Sequence, residues 1–441
     1  MAYTPNPPRV VQEMLEAMGL GSIDQLFSDI PEELRLDREL NLGQPLSELE
    51  LRKKMSELAA KNVTADEYPS FLGAGAYDHY VPAVVEHVLS LPELVTAYTP
   101  YQAELSQGVL QSIFEYQSLI CGLTGMDLCN ASMFDGGSSL AEACSLAAEA
   151  TRRKKIILAG AVNPRYVQVV HTYTHGKGID IVCAPACEGV ADTEKLSELI
   201  DKDTAAVVVQ SPNFYGFLEP EIKKIEAAVH AVKGLLIMVV DPISLGILKP
   251  PADWGADIAV GEGQALGNPL SFGGPYLGFF TANKKLMRRV PGRLVGETRD
   301  LDGKRAFVLT LQAREQHIRR QKASSNICSN EALCALAATV YLSIVGPSGL
   351  RAIATRCHEL ACYAQDRLQE AGIPLKYSHP FFKEFPVRLA DPAAANKALL
   401  KQEIIGGYEL DKALLFAFTE NRTKKEIDKL VAVLKGGCRH E

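Results

Sequence analysis

Residues 235–246 read LLIMVVDPISLG: an unbroken apolar run, Leu235 to Val240, that stops at Asp241 and turns through Pro242. A short apolar run with no polar alternation, closed by turn residues, is the pattern of a strand covered on both faces. Working outward, comparable β-rich runs occur at Lys155 to Ala159, Ile179 to Ala184, Ala205 to Gln210, Asp257 to Val260 and Leu277 to Thr281. Several are separated by spans long enough for a helix. Helices alternating with such runs, from about residue 85 to 290, predict an α/β domain with a mostly parallel sheet and helices on both faces. Ligands bind such sheets at the carboxyl ends of the strands, which is where Asp241 falls.

The flanks read differently. In the first 70 residues Val11, Met14, Leu15 and Met18 make one helical stripe, Gly19 to Gly21 ends it, and Ser22 can cap a short helix with Ile23 and Leu26. Leu46, Leu49, Leu51 and Leu58 then sit among charges, as in a helical arm that packs on something larger. After about residue 310 comes a helix-rich stretch, Asn330 to Gly372. It is followed by strand candidates Glu384 to Leu389 and Leu414 to Phe418, each leading into a helix, Pro392 to Gln402 and Thr423 to Lys435. The expected organisation is a helical arm (1–85), a large α/β domain (86–310), and linking helices with a small α+β domain (311–441).

Composition narrows the function. The 441 residues carry 46 basic and 53 acidic side chains, a net charge of −7, which argues against nucleic acid as a main partner. The apolar stretch Ala332 to Gly346 is shorter than the about 18 residues of a membrane span and reads as a core helix. The N-terminus lacks a basic segment followed by an apolar one, so the expected location is cytoplasmic and no membrane partner is expected. Ten cysteines without CxxC spacing make neither a disulfide scaffold nor an evident zinc site, and no metal is expected. Cys183 and Cys187 form CxxxC after a strand-like run, and most of the others read as small buried hydrophobes. No GxxxxGK[ST] loop occurs, and Gly73/Gly75 and Gly261/Gly263 lack the third glycine of a dinucleotide fingerprint. His358 to Cys362 imitates HExxH, but Cys362 replaces the second histidine.

Two features together suggest a cofactor. Phe134-Asp135-Gly136-Gly137-Ser138-Ser139-Leu140 precedes a strong helix former. Gly136, Gly137 and Ser138 there could form a phosphate cup at a helix N-terminus; a plain start capped by Ser138 or Ser139 is the simpler alternative. Asp241 could meet the protonated ring nitrogen of pyridoxal phosphate, or be merely a cap or turn residue. This is the layout of a pyridoxal-phosphate enzyme of the aspartate-aminotransferase fold. Such enzymes hold the cofactor through a lysine about 20 to 30 residues after the aspartate. No lysine occurs between Lys249 and Lys284, and the expected position falls near Gln264, which cannot form a Schiff base.

Two other segments are unusually polar. Tyr98 to Gly108 (YTPYQAELSQG) presents Tyr98, Thr99, Tyr101, Gln102 and Glu104 near a helix start, or is an ordinary turn and cap. The stretch from His317 to Asn326 sets Arg319 and Lys322 beside Ser324 and Ser325, suited to a phosphate or carboxylate, or is a solvated helix end. His79 and His171 read more readily as hydrogen-bonded structural histidines than as functional ones.

These strings carry a resemblance. Tyr98 to Gly108, Phe71 to Pro82 (FLGAGAYDHYVP), Phe134 to Ala141 and Arg319 to Cys328 (RRQKASSNIC) resemble the glycine decarboxylase P-protein of the glycine cleavage system, as does the opening MLEAMGLGSIDQLFSDIP. The similarity extends over essentially the whole chain. Length and the missing lysine make it similar to the alpha half of the two-subunit form. The resemblance implies a fold type I pyridoxal-phosphate transferase architecture with a seven-stranded, mostly parallel sheet. It implies an α2β2 assembly whose beta subunit carries the cofactor covalently, with glycine and lipoylated H-protein as the other partners. It also implies that Tyr98, Thr99, Tyr101, Gln102 and Glu104 serve the substrate end. Arg319, Lys322, Ser324 and Ser325 would lie nearer a phosphate or the interface, with Gly136, Gly137, Ser138 and Asp241 in a degenerate pocket. The alternatives are a non-catalytic scaffold or regulatory pseudo-enzyme and, less well supported, an independent enzyme using Lys322.

Overall fold

The computed structural model describes residues 6–96, 100–323, 325–327 and 330–437. The chain divides into two units, Met1–Val63 and Thr64–Glu441. In the first, helix α1 (Pro8–Ala17) begins with proline at its first position, where a missing N–H costs nothing. Ser22 precedes a 3-10 turn, Ile23–Phe27. Helix α2 (Glu48–Ala59) is capped by Ser47, whose side chain accepts from the Glu50 amide while Glu50 accepts from the Ser47 amide.

The second unit is built on a seven-stranded sheet: β1 (Leu128–Cys129), β2 (Lys155–Ala159), β3 (Asp180–Cys183), β4 (Thr204–Gln210), β5 (Leu235–Val239), β6 (Ile258–Glu262) and β7 (Gly278–Ala282). Their order across the sheet is β1-β7-β6-β5-β4-β2-β3, and only β7 runs antiparallel to its neighbours. The central strands are apolar throughout because both faces are covered. Val207, Val209, Leu236 and Met238 face one core, which includes helices α3 (Gln107–Thr124) and α6 (Ile222–Ala231) and the first half of α7 (Ala332–Glu370). Val208, Ile237 and Val260 face the other, filled by α4 (Gly136–Thr151) and, at its margin, α5 (Pro164–His175). Period-two alternation thus exists in these strands, but both directions lead to core, which is why polarity does not reveal it.

Helix α7 as a whole is long and apolar enough to cross a membrane by length and composition. It is instead a core element: Ala335, Ala337, Ala338 and Tyr341 are buried against the sheet. It breaks at Gly346 (φ 60°, ψ 179°), followed by Pro347, where the apolar stretch begun at Ala332 ends. Its second half passes into another core through Leu360, Ala361, Ala364 and Leu368. That core is shared with a three-stranded antiparallel sheet and two helices. After Asp241 and β7, the chain first makes a hairpin, β8 (Leu294–Arg299) and β9 (Arg305–Thr310). It then makes β10 (Glu384–Arg388), α8 (Pro392–Leu400), β11 (Tyr408–Leu410), β12 (Ala413–Ala417) and α9 (Lys424–Gly437), with sheet order β10-β12-β11.

Sequence periodicity missed the β8–β9 hairpin. Asp300 closes its loop by accepting from the Asp302 and Lys304 amides, and Gly303 takes φ 78°. The Asp302-Gly303 pair between two strand-like runs was the available signal.

Candidate functional site

Helix α4 starts at the carboxyl edge of the sheet. Asp135, rather than Ser138 or Ser139, is its cap: its Oδ1 accepts from the Ser138 amide at 2.6 Å, and the Asp135 amide donates to Ser138 Oγ at 3.1 Å. The cup expected here for a phosphate is already filled. The Gly136 amide donates to Glu262 Oε2 at 3.0 Å, while Glu262 Oε1 accepts from the Gln264 and Leu277 amides, each at 3.0 Å. A side chain at Gly136 would also strike Tyr166, whose Oη lies 2.5 Å from where a Cβ would be. Enclosure raises the Glu262 carboxyl to about 8 despite three amide donors that favour its anion.

Asp241 sits beyond the end of β5. Its Oδ1 accepts from the Ile243 amide at 2.9 Å, the turn role, and its Oδ2 holds Lys383 Nζ at 2.7 Å. Lys383, next to the start of β10, is buried, and sequence reasoning did not single it out. Its Nζ also lies 2.8 Å from His79 Nε2 and 3.7 Å from the centre of the Tyr77 ring. An ammonium only donates, so His79 Nε2 must accept, and His79 Nδ1–H therefore donates to Glu420 Oε2 at 2.7 Å. Although burial opposes it, the hydrogen bonds from His79 Nδ1–H and the Tyr80 amide hold Glu420 below the usual carboxylate range. Cys357 donates its S–H to the same carboxylate at 3.3 Å, and burial keeps it a thiol. His79 is thus structural; His171 is exposed on α5.

Gln264, in the place where a cofactor lysine was sought, is 1% exposed. Its Oε1 accepts from the Tyr77 amide at 3.0 Å, and its Nε2 donates to Tyr77 O at 3.1 Å and Asn268 O at 2.7 Å. Two of these three bonds hold the loop at Tyr77, and the third holds its own segment. Tyr77 in turn donates to Glu384 Oε2 at 2.8 Å, and the Ala74 amide donates to Oε1 at 2.6 Å. Burial raises Glu384 to about 7.

The crevice bounded by Tyr77, Tyr166, Asp241, Glu262, Gln264 and Lys383 retains only about 40 Å³, where one water needs about 10–15 Å³. Pyridoxal phosphate does not fit it. The groups that would receive its ring nitrogen and its phosphate, Asp241 and the Gly136 amide, are taken by Lys383 and Glu262. His79, Cys357 and Glu420 are of metal-ligand type and lie close together. The Lys383 ammonium on the far nitrogen of the same imidazole already supplies the positive charge there.

The other predicted residues do not line this crevice. Tyr98, Thr99 and Ser324 lie outside the described residues. Tyr101 is half exposed, receives a 2.8 Å hydrogen bond from Arg293 Nη2 and meets the His317 ring edge-on, with centroids 6.3 Å apart. The structure therefore brings the Tyr101 segment and the His317 segment together. Gln102 and Glu104, around a 3-10 turn, are exposed, as are Arg319 and Lys322. Arg319 Nε donates to Ala313 O at 3.2 Å, and Ser325 Oγ accepts from the Ile327 amide at 3.2 Å. Arg293, which holds Tyr101 from the loop before β8, was not found from sequence, because a single arginine before a strand carries no local signal.

The sheet order, the single antiparallel strand and a crevice at Asp241 define the class: the pyridoxal-phosphate-dependent enzymes of fold type I, the aspartate-aminotransferase-like architecture. At the level of fold alone, a sphingosine-1-phosphate lyase from Burkholderia pseudomallei aligns with TM-score 0.68 at 16% identity, over 93% of this chain and 94% of that one. The family model described as "Glycine cleavage system P-protein" matches residues 1–434, and the chain belongs to that family. It is 60% identical to the probable glycine dehydrogenase (decarboxylating) subunit 1 of Carboxydothermus hydrogenoformans, over 99% of this chain and 100% of the relative. To the protein of the same description from Syntrophomonas wolfei it is 58% identical, over the full length of both. A crystal structure of glycine decarboxylase (P-protein) of the glycine cleavage system, in inhibitor-bound form, superposes with TM-score 0.92 at 41% identity, covering 99% of this chain and 100% of the other.

Proposed function

We propose that this chain is the alpha subunit of a heteromeric glycine decarboxylase. The complete enzyme decarboxylates glycine on pyridoxal phosphate and passes the aminomethyl group to the lipoyl arm of H-protein. A beta partner, in an α2β2 assembly, carries the cofactor, and this chain completes that partner's site. The observation that carries the reading is the self-filled crevice. Gln264 is stapled to Tyr77 where a cofactor lysine would stand, so the chemistry needs a second chain. Exposed apolar side chains in the first unit, Leu34, Leu42 and Leu49 among them, give such a chain a surface to cover. The residues offered outward are Tyr101, Gln102 and Glu104, with Arg319 and Lys322.

Glycine–bicarbonate exchange measured with the chain alone, with its beta partner alone and with both tests this. Exchange is expected only when both are present, and full activity in the isolated chain would overturn the proposal. A filled pocket is also what a scaffold would have. Glu104→Gln in the assembled complex separates the two: reduced turnover supports a contribution to the site, and unchanged turnover favours the scaffold.

A further inference from the structure

Buried cations in the described part of this chain are neutralised, with one exception. Lys383 has Asp241, and Arg422 has Asp78 at 2.7 Å. Arg293, only 5% exposed, has no carboxylate oxygen within 4.0 Å among the described residues. Its hydrogen-bond partners are neutral: Nη2 donates to Tyr101 Oη at 2.8 Å and Nη1 to Asn330 Oδ1 at a long 3.4 Å. Its Nε has none. A guanidinium is charged throughout the working pH range of proteins, and a buried cation without an anion is costly unless something supplies one.

The loop holding Arg293 is firmly placed. Its carbonyl accepts from the Ala131 amide at 2.8 Å, Asn130 Nδ2 donates to Pro291 O at 3.0 Å, and Arg314 Nη2 donates to Gly292 O at 2.8 Å. The backbone is thus fixed behind the guanidinium, whose head is held by Tyr101 and Asn330. What covers it is the Tyr101 ring, 4.9 Å from its Cζ to the ring centroid and half exposed. Since Arg293 donates to the phenol oxygen, the Tyr101 O–H is polarised and free to donate outward.

We propose that Arg293 and Tyr101 act as one anion receptor. Tyr101 supplies the surface donor, and Arg293 behind it supplies the charge and fixes the phenol's orientation. The anion is a carboxylate or phosphate oxygen of a small molecule held by the partner chain. On the reading above, on which this inference rests, the two sources are the carboxylate of the amino-acid substrate and the phosphate of the partner's cofactor. Arg293 is thus a positioning residue for the reaction, and the crevice at Asp241 has no part in it.

The test uses the assembled complex, with Arg293→Gln, Arg293→Lys, Tyr101→Phe and the Arg293→Gln/Tyr101→Phe pair. Glycine KM and kcat are read in the exchange reaction, and cofactor dissociation is read by absorbance. Arg293→Gln and Tyr101→Phe should each weaken one of these by about tenfold, with the pair little worse than either alone and Arg293→Lys partly restored. A shift confined to KM for glycine assigns the substrate carboxylate, and one confined to cofactor affinity assigns the phosphate. An active wild-type complex whose Arg293→Gln and Tyr101→Phe forms keep both constants overturns the receptor, as do fully additive effects. Should Arg293→Gln fail to assemble, Tyr101→Phe and Arg293→Lys decide by the same constants. Exchange absent from the wild-type complex, or complete in the isolated chain, would instead count against the subunit assignment.

Discussion

At the scale of residues, one ion pair and one carboxyl stand where a cofactor would. Lys383 directs its three N–H groups at Asp241, His79 and the Tyr77 ring, so its removal strands an uncompensated carboxylate. Lys383→Met should cost about 3–5 kcal/mol, and adding Asp241→Asn should recover more than about 1 kcal/mol, since replacing both partners is far gentler than removing one. Denaturation midpoints of the two single variants and the double give the coupling, and simple additivity would refute it. Glu262 makes a pH prediction. Its folded pKa of about 8 lies above the about 4.3 of an unfolded glutamate, so across that window the folded chain holds a proton the unfolded one has lost. Its contribution to stability is therefore greatest below pH about 4 and falls as pH rises towards about 8. Glu384, raised to about 7, acts in the same direction. Glu262→Gln should flatten the decline of Tm between pH 5 and 8 without abolishing it, and an unchanged slope would show that Glu262 is not the group.

At the scale of elements, α7 joins two cores through a single hinge. Gly346 has φ 60° and ψ 179°, a region reserved for glycine, while a Cβ there would meet nothing within 4 Å. Gly346→Ala should therefore destabilise by about 1–3 kcal/mol purely through backbone strain, seen as a lower Tm with α-helical circular dichroism retained. Loss of no stability would mean that the helix can run through. The strands were legible because continuous apolar runs such as Leu235 to Val239 have few other uses. The break in α7 went unread, although Pro347, which cannot continue a helix with all its hydrogen bonds, was a signal for it. The cap of α4 was assigned to the wrong residue, because Asp135, Ser138 and Ser139 are all able caps and only the backbone path chooses between them.

At the scale of the whole molecule, the second unit has the fold type I architecture with a crevice filled by its own side chains, and the proposed requirement for a beta chain rests on that. The sequence by itself determined the sheet, its mostly parallel sense and the absence of a lysine after Asp241, because apolar periodicity and residue identity are local properties. Only the tertiary structure decided what fills the crevice. Lys383 meets Asp241 across 142 positions of chain, and Glu262 meets Gly136 across 126. It likewise decided that Arg293 lies beneath Tyr101, 192 positions away. Pairings of this kind leave no periodicity to read, since each charged partner looks like an ordinary surface charge until the fold removes the water around it.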